Sequence, residues 1–269
     1  MVEKILHLQI TSSVASAFSI ILNTTGLYIL SKTDYRSSNQ ILLIKNISLC
    51  DIIVSIAWLI WDILALYLYP NDGTMETRLW CLVVTTYFIW LSFLFLLTID
   101  RFIGANFPFK YKIIASKKNI FRTVASIWMV GSTSSIICVL FFSDVFKSHI
   151  FLVWLILDSL FIILFIMTYS SICFRVVGGK IQHTKSGQMS NNQKLYRMVF
   201  CMLMSFVLFE VVPDAALIAV FHLQTSNLND WLVNVSLCYR FNLLVDPLIY
   251  VFLQPQARRT LFSILRCVP

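Results

Sequence analysis

Charge is scarce in this chain: Asp, Glu, Lys and Arg together make up 13% of its 269 residues. So few charges cannot cover a soluble surface when 58% of the residues are hydrophobic and the mean hydropathy is +0.80. The composition is that of an integral membrane protein and leaves no room for a soluble domain of any size. Cysteine pairing is missing too. The seven Cys show no C-x-x-C spacing, and Cys50, Cys138, Cys173, Cys201 and Cys238 lie in apolar runs, where packing as small hydrophobes is their expected role. Neither a disulfide framework nor a metal cluster is expected. Glycine is scarce, seven residues in all, and the hydropathy pattern has no internal repeat. Both features count against a small transporter or channel, whose helices are typically repeated and broken at mid-membrane. The first apolar run is too long for a secretory signal peptide and lacks its small-residue cleavage site.

What is present is a series of long apolar runs. Crossing the hydrocarbon takes roughly 20 helical residues, so the chain has room for about seven crossings. The runs predict helices over about Leu8–Leu30, Asn39–Tyr69, Thr77–Phe102, Ile120–Phe142, Ile150–Val176, Lys194–Phe221 and Asp230–Leu253. Pro70-Asn71-Asp72-Gly73 marks a turn after the second. The expected fold is an all-α membrane protein, a seven-transmembrane helix bundle over residues 1–253 followed by a tail, 254–269. In the tail Arg258, Arg259, Leu261, Phe262, Ile264, Leu265 and Arg266 are ordered as in a short amphipathic cytoplasmic helix on the membrane surface. Cys267 is a candidate palmitoylation site.

Charge also sets the orientation. With the connections assigned to alternate sides, one side receives 17 of the 21 Lys and Arg residues. The positive-inside rule then places the amino terminus outside and the carboxyl terminus in the cytoplasm. The net charge of +8 reflects that orientation and calls for no nucleic acid. Asn-x-Ser/Thr matches at Asn23, Asn46 and Asn234 lie in or at apolar spans, so none is expected to be glycosylated.

Ionisable residues within spans are the functional candidates, because each is expensive in a bilayer. The third run ends abruptly in Asp100-Arg101-Phe102, which reads either as a charged helix end among headgroups or as a working pair. Pro213 and Pro247 each remove a backbone hydrogen bond from a span, and a kinked helix pivots easily. Asp62 lies eleven residues beyond Asp51, three helical turns along one face, and Asp158 bears the same relation to Tyr169. With Glu210, Asp214 and Arg240 these acids form a polar set at one end of the spans. Internal salt bridges or interfacial exposure compete there with ligand contact, and buried charges need partners.

The marked positions fall one group per helix, in order. They are Asn23; Asn46 and Asp51 in Asn-Ile-Ser-Leu-Cys-Asp; Asp100-Arg101-Phe102 with Pro108 seven residues after the Arg; Trp128; Tyr169; Pro213; and Asp246-Pro247-Leu248-Ile249-Tyr250. Over nearly its whole length the chain thereby resembles the rhodopsin-like (class A) family of G-protein-coupled receptors. The resemblance implies a plasma-membrane receptor and no enzyme. Such a receptor takes an extracellular small molecule or peptide in the helical bundle and activates a heterotrimeric G protein as its sixth helix moves outward, with arrestin as a further partner. It also implies that Arg101 pairs with Asp100 at rest and turns to Tyr169 and Tyr250 on activation. Asp100, Arg101, Phe102, Tyr169, Asp246, Pro247 and Tyr250 are then the coupling switch, and Pro213 and Pro247 the pivots. Side by side in low dielectric, Asp51 and Asp246 are not both ionised; one holds a proton or the two share a cation. With Asn23 and Asn242 they also form a packing knot, and glue and switch are compatible roles.

Departures from the family are equally specific. Its outer disulfide is missing: the helix-3 Cys is expected near Glu76, Cys81 lies five residues deeper, and Ser143–His149 holds no Cys. Val207 and Val211 stand where the family carries Phe and Trp, and Phe161 where it carries a Pro. Trp90 replaces a small polar residue of the sodium site, which disfavours a bound sodium ion. Arg240 replaces the Schiff-base Lys, which disfavours retinal, and Val83 in place of an Asp disfavours an ordinary monoamine. Gln193, Lys194 and Arg197 at the base of the sixth helix offer Arg101 no acid, so ligand-free signalling is expected. Four acids, Asp62, Asp158, Glu210 and Asp214, surround one base, Arg240, so one is expected to neutralise it and the excess to favour a cationic ligand. Two other classes remain open, a small seven-helix transporter or channel and a receptor-like protein that no longer signals.

Overall fold

The structure, a computed structural model, describes residues 2–32, 39–67, 73–141, 159–168, 170–171, 198, 200–216 and 228–266. These residues are nearly all helical, with no strand among them. Helices α1 (Val2–Lys32), α2 (Asn39–Tyr67) and α3 (Gly73–Asn106) are followed by a short α4 (Pro108–Ile114) and by α5 (Lys117–Phe141). Then come α6 (Ser159–Thr168), α7 (residues 200–216), α8 (Leu228–Leu253) and α9 (Pro255–Arg266).

Five stretches among the described residues are long and apolar enough to cross a membrane: Gln9–Lys32, Asn39–Leu64, Cys81–Gly104, Lys117–Ile137 and Val235–Leu253. They coincide with the first four and the seventh of the runs read from the sequence. The fifth and sixth runs are described only over α6 and α7.

Two local features were not apparent from periodicity. Helix α3 stops because Phe107, at φ −133° and ψ 61°, leaves the helical region, and Pro108 then opens α4 in the first turn, where a missing N–H loses nothing. Helix α7 contains a π turn, Val207–Val211, in which the Val212 N–H reaches back five residues to the Val207 carbonyl, just ahead of Pro213.

Helix α1 packs on α2 and α8, α2 on α3, and α3 on α5. The main core gathers Leu43, Ile44 and Ile47 of α2 with Leu91, Leu94 and Leu97 of α3, closed by Phe206 and Tyr250. Gly131 brings α5 against α3, since a Cβ there would collide with the Ile89 side chain. Polarity runs opposite to that of a soluble bundle. Large apolar side chains such as Phe18, Ile21, Phe121 and Met129 face outward, where lipid suits them, while Ser12, Ser16, Ser19 and Asn23 of α1 are buried. Those four recur at intervals of four, three and four residues, a single helical face, and Ser48, Asp51, Ser55 and Asp62 form a matching stripe on α2. Together with α8 these stripes close into a polar seam.

Candidate functional site

At one end of the bundle three elements meet around Arg101. Its Nε donates to Asp100 Oδ2 at 3.0 Å, and its Nη2 closes on the same oxygen. Tyr111 reaches up from α4, donating its hydroxyl to Asp100 Oδ1 at 2.9 Å and accepting from Arg101 Nη2 at 3.4 Å. The amide oxygen of Gln40, at the start of α2, accepts from the same guanidinium. Burial first, and then the Asp100 charge, pushes the Tyr111 pKa above its usual value, so the hydroxyl stays a donor. Asn39 Nδ2 donates to the Ala115 carbonyl at 2.7 Å, fastening the start of α2 to the turn between α4 and α5. Phe102 turns aside and meets Phe107 edge to face, with ring centroids 6.3 Å apart.

The middle of the seam joins α1, α2 and α8. Tyr250 donates its hydroxyl to Asn23 Oδ1 at 2.8 Å and shares a 2.7 Å hydrogen bond with Ser48. Asn23 Nδ2 in turn donates to the Leu243 carbonyl at 2.9 Å. That carbonyl is available because Pro247, four residues on, has no N–H to offer it. Ser19 donates to the same carbonyl at 3.1 Å and accepts from Ser55 at 2.8 Å. Gly26 makes room for the Tyr250 ring, which would lie 3.0 Å from a Cβ at that position. Tyr250 is thus held on α1 and α2, away from Arg101.

Asp51 and Asp246 are both buried, and neither carboxyl group meets a hydrogen-bond donor at bonding distance among the described residues. Asn242, expected to join them, turns the other way: its Oδ1 accepts from Ser205 at 2.7 Å and its Nδ2 donates to Glu210 Oε1 at 3.3 Å. The π turn explains this, because Glu210 lies within it and is buried on the interior side of α7. Glu210 therefore faces a central cavity of about 30 Å³ shared with Asp51, Trp90, Tyr239 and Asn242. Trp90 stacks on Tyr87 at 5.9 Å and tilts onto Phe206 at 5.8 Å.

The far end of the seam holds Arg240. Nη2 lies 2.8 Å from Asp62 Oδ1, Nε donates to Ser16 Oγ at 3.2 Å and Nη1 to Ser236 Oγ at 3.1 Å. The guanidinium also lies 4.5 Å from the Trp58 ring, a cation–π contact. Tyr239 donates its hydroxyl to Asp214 Oδ1. Asp62 thus neutralises Arg240, while Glu210 and Asp214 accept from the neutral donors Asn242 and Tyr239.

Asp158, Tyr169 and Cys267 lie outside the described residues, as do Gln193, Lys194 and Arg197. Cys81 is buried with a free thiol. Sequence reasoning passed over Gln40, Ser48 and the role of Tyr111. The available signal was their register: Ser48 is one turn before Asp51, and Tyr111 is presented to Asp100 once Pro108 starts a helix. Compared with known proteins, the chain matches no family model and no curated sequence.

Proposed function

We propose that the chain is a receptor of the rhodopsin-like, G-protein-coupled kind. It is a multi-pass plasma-membrane protein with seven helices and its amino terminus outside, and it activates a heterotrimeric G protein at its Arg101 end. The observation that carries this reading is the setting of Arg101. Its guanidinium is held by Asp100, Tyr111 and Gln40, side chains from three different elements, so its restraint depends on how α2, α3 and α4 sit together.

In this mechanism the π turn and Pro213 make α7 the element that swings, since both leave its backbone ladder incomplete. Outward movement bares Arg101 to the cytoplasm, and Tyr250 exchanges Asn23 and Ser48 for a place beside it. States separated by a few kcal/mol interconvert in response to a ligand that prefers one of them. The ligand enters the helical bundle from the outside and acts on the interior from there. In cultured cells, Arg101→Ala should abolish G-protein activation and leave surface expression largely intact. Unchanged signalling in that variant refutes the reading.

A further inference from the structure

One side chain of α8 grips α7 at two points five residues apart. Asn242 Oδ1 accepts from Ser205 at 2.7 Å, and its Nδ2 donates to Glu210 Oε1 at 3.3 Å. Along an α-helix, residues five apart point about 140° away from each other, so they do not face one neighbour. The π turn Val207–Val211 lies between these two and removes most of that angle, because its ring closes between residues five apart. The double grip therefore belongs to one register of α7 only. Such turns are rare on their own, which makes Asn242 a reason for this one to persist. Beyond the turn, Tyr239 donates to Asp214 and fastens the outer part of α7 to α8 independently. Before the turn, Phe206 is fully buried against Trp90 and Phe165, whereas Phe200 and Met204 face outward.

We propose that α7 has two registers, π and α, and that Asn242 locks it in the π register by holding Ser205 and Glu210 together. With the grip released, the turn closes into α-helix. The outer part stays on α8, while the inner part, residues 200–206, turns by about 100° and slides by about 1.5 Å, one residue's worth of helix. Each residue of the inner part then takes the place of the one before it. Met204 moves from the outer face into the buried place of Leu203, and Ser205 moves out to the place of Met204. Phe206 leaves Trp90 and Phe165 for the place of Ser205. The lock is a property of α7 and α8 and does not depend on receptor activity. Where the receptor reading holds, it names the contact whose release frees α7 to move.

Electron cryomicroscopy of the full chain in lipid nanodiscs, with an antibody fragment as a marker, tests it. The wild type should show the π turn with Ser205 and Glu210 both on Asn242. Asn242→Leu nearly keeps the side-chain size and removes both hydrogen bonds, so its inner part should be shifted by one residue, with Met204 buried. Glu210→Gln still offers Asn242 an acceptor and should keep the wild-type register. If Asn242→Leu does not fold, Ser205→Ala/Glu210→Leu removes the grip from the α7 side and should show the same one-residue shift. A wild type that is α-helical throughout 200–216 overturns the proposal, as does a π turn retained in the variants that lack the grip. The register is read without any signalling assay, so failure of the lock and failure of the receptor reading are told apart.

Discussion

Arg240→Ala tests directly what holds the polar seam together. In the folded protein the Arg240 and Asp62 side chains are 2% and 5% exposed and their charged atoms are 2.8 Å apart. Truncating the arginine leaves the Asp62 carboxylate charged in a dry interior with only neutral hydroxyls near it among the described residues, Ser12 at 3.4 Å and Ser13. Breaking a buried pair from one side costs about 3–5 kcal/mol. Losing the Trp58 face, 4.5 Å from the guanidinium, adds about 1–2 kcal/mol. For a chain of this size each kcal/mol lowers the melting temperature by roughly 2–4 °C, so a fall on the order of 10 °C or more is expected. Thermal unfolding of the purified protein in detergent measures it. Asp62→Ala alone should also be strongly destabilising, because it strands the guanidinium instead. The double variant strands no charge and should recover at least half of the larger single loss, the signature of coupled residues. If the two losses simply add, the pair does not join α1, α2 and α8, and the reasoning fails.

Gln40→Ala removes one acceptor from the Arg101 guanidinium. A hydrogen bond to a charged group contributes about 1.5–3 kcal/mol, so ligand-free G-protein activation per receptor at the surface should rise by roughly tenfold or more. A lower basal signal would show that Gln40 supports the active arrangement instead. Trp90→Ser restores a small oxygen-bearing side chain beside Asp51. Its melting temperature should become higher in sodium chloride than in choline chloride, while the wild type melts alike in both. Sodium-dependent melting of the wild type would contradict the account of Trp90.

The sequence made some of this architecture legible and hid the rest for physical reasons. Long apolar runs announce spans because hydrocarbon demands them, and the five described crossings fall where the runs lie. Asp62 and Arg240 stood out because a charge within a span needs a partner. Which acid would meet Arg240 was not legible, since 178 residues separate the pair and the choice depends on α8 returning to α1 and α2. The inward turn of Glu210 was hidden because it follows from a π turn, and the five residues Val207–Val211 carry no compositional mark of one. Helix α4 was read as a connection because seven residues are too few to display a period. The serine stripe of α1 was visible at positions 12, 16, 19 and 23, but serine carries no charge to draw attention to it.

The seam also sets an order of assembly. On its way into the bilayer, the Val235–Leu253 segment carries Arg240 and Asp246, each about 2.5–3.5 kcal/mol unfavourable at the centre of an isolated helix. Its own apolar residues offset that only in part. The groups that compensate Arg240 from other helices, Asp62 and Ser16, lie on α2 and α1, which precede it in the chain. The Val235–Leu253 helix therefore gains its hold when α1 and α2 are already in place beside it, and until it arrives Asp62 lacks the cation that α8 brings.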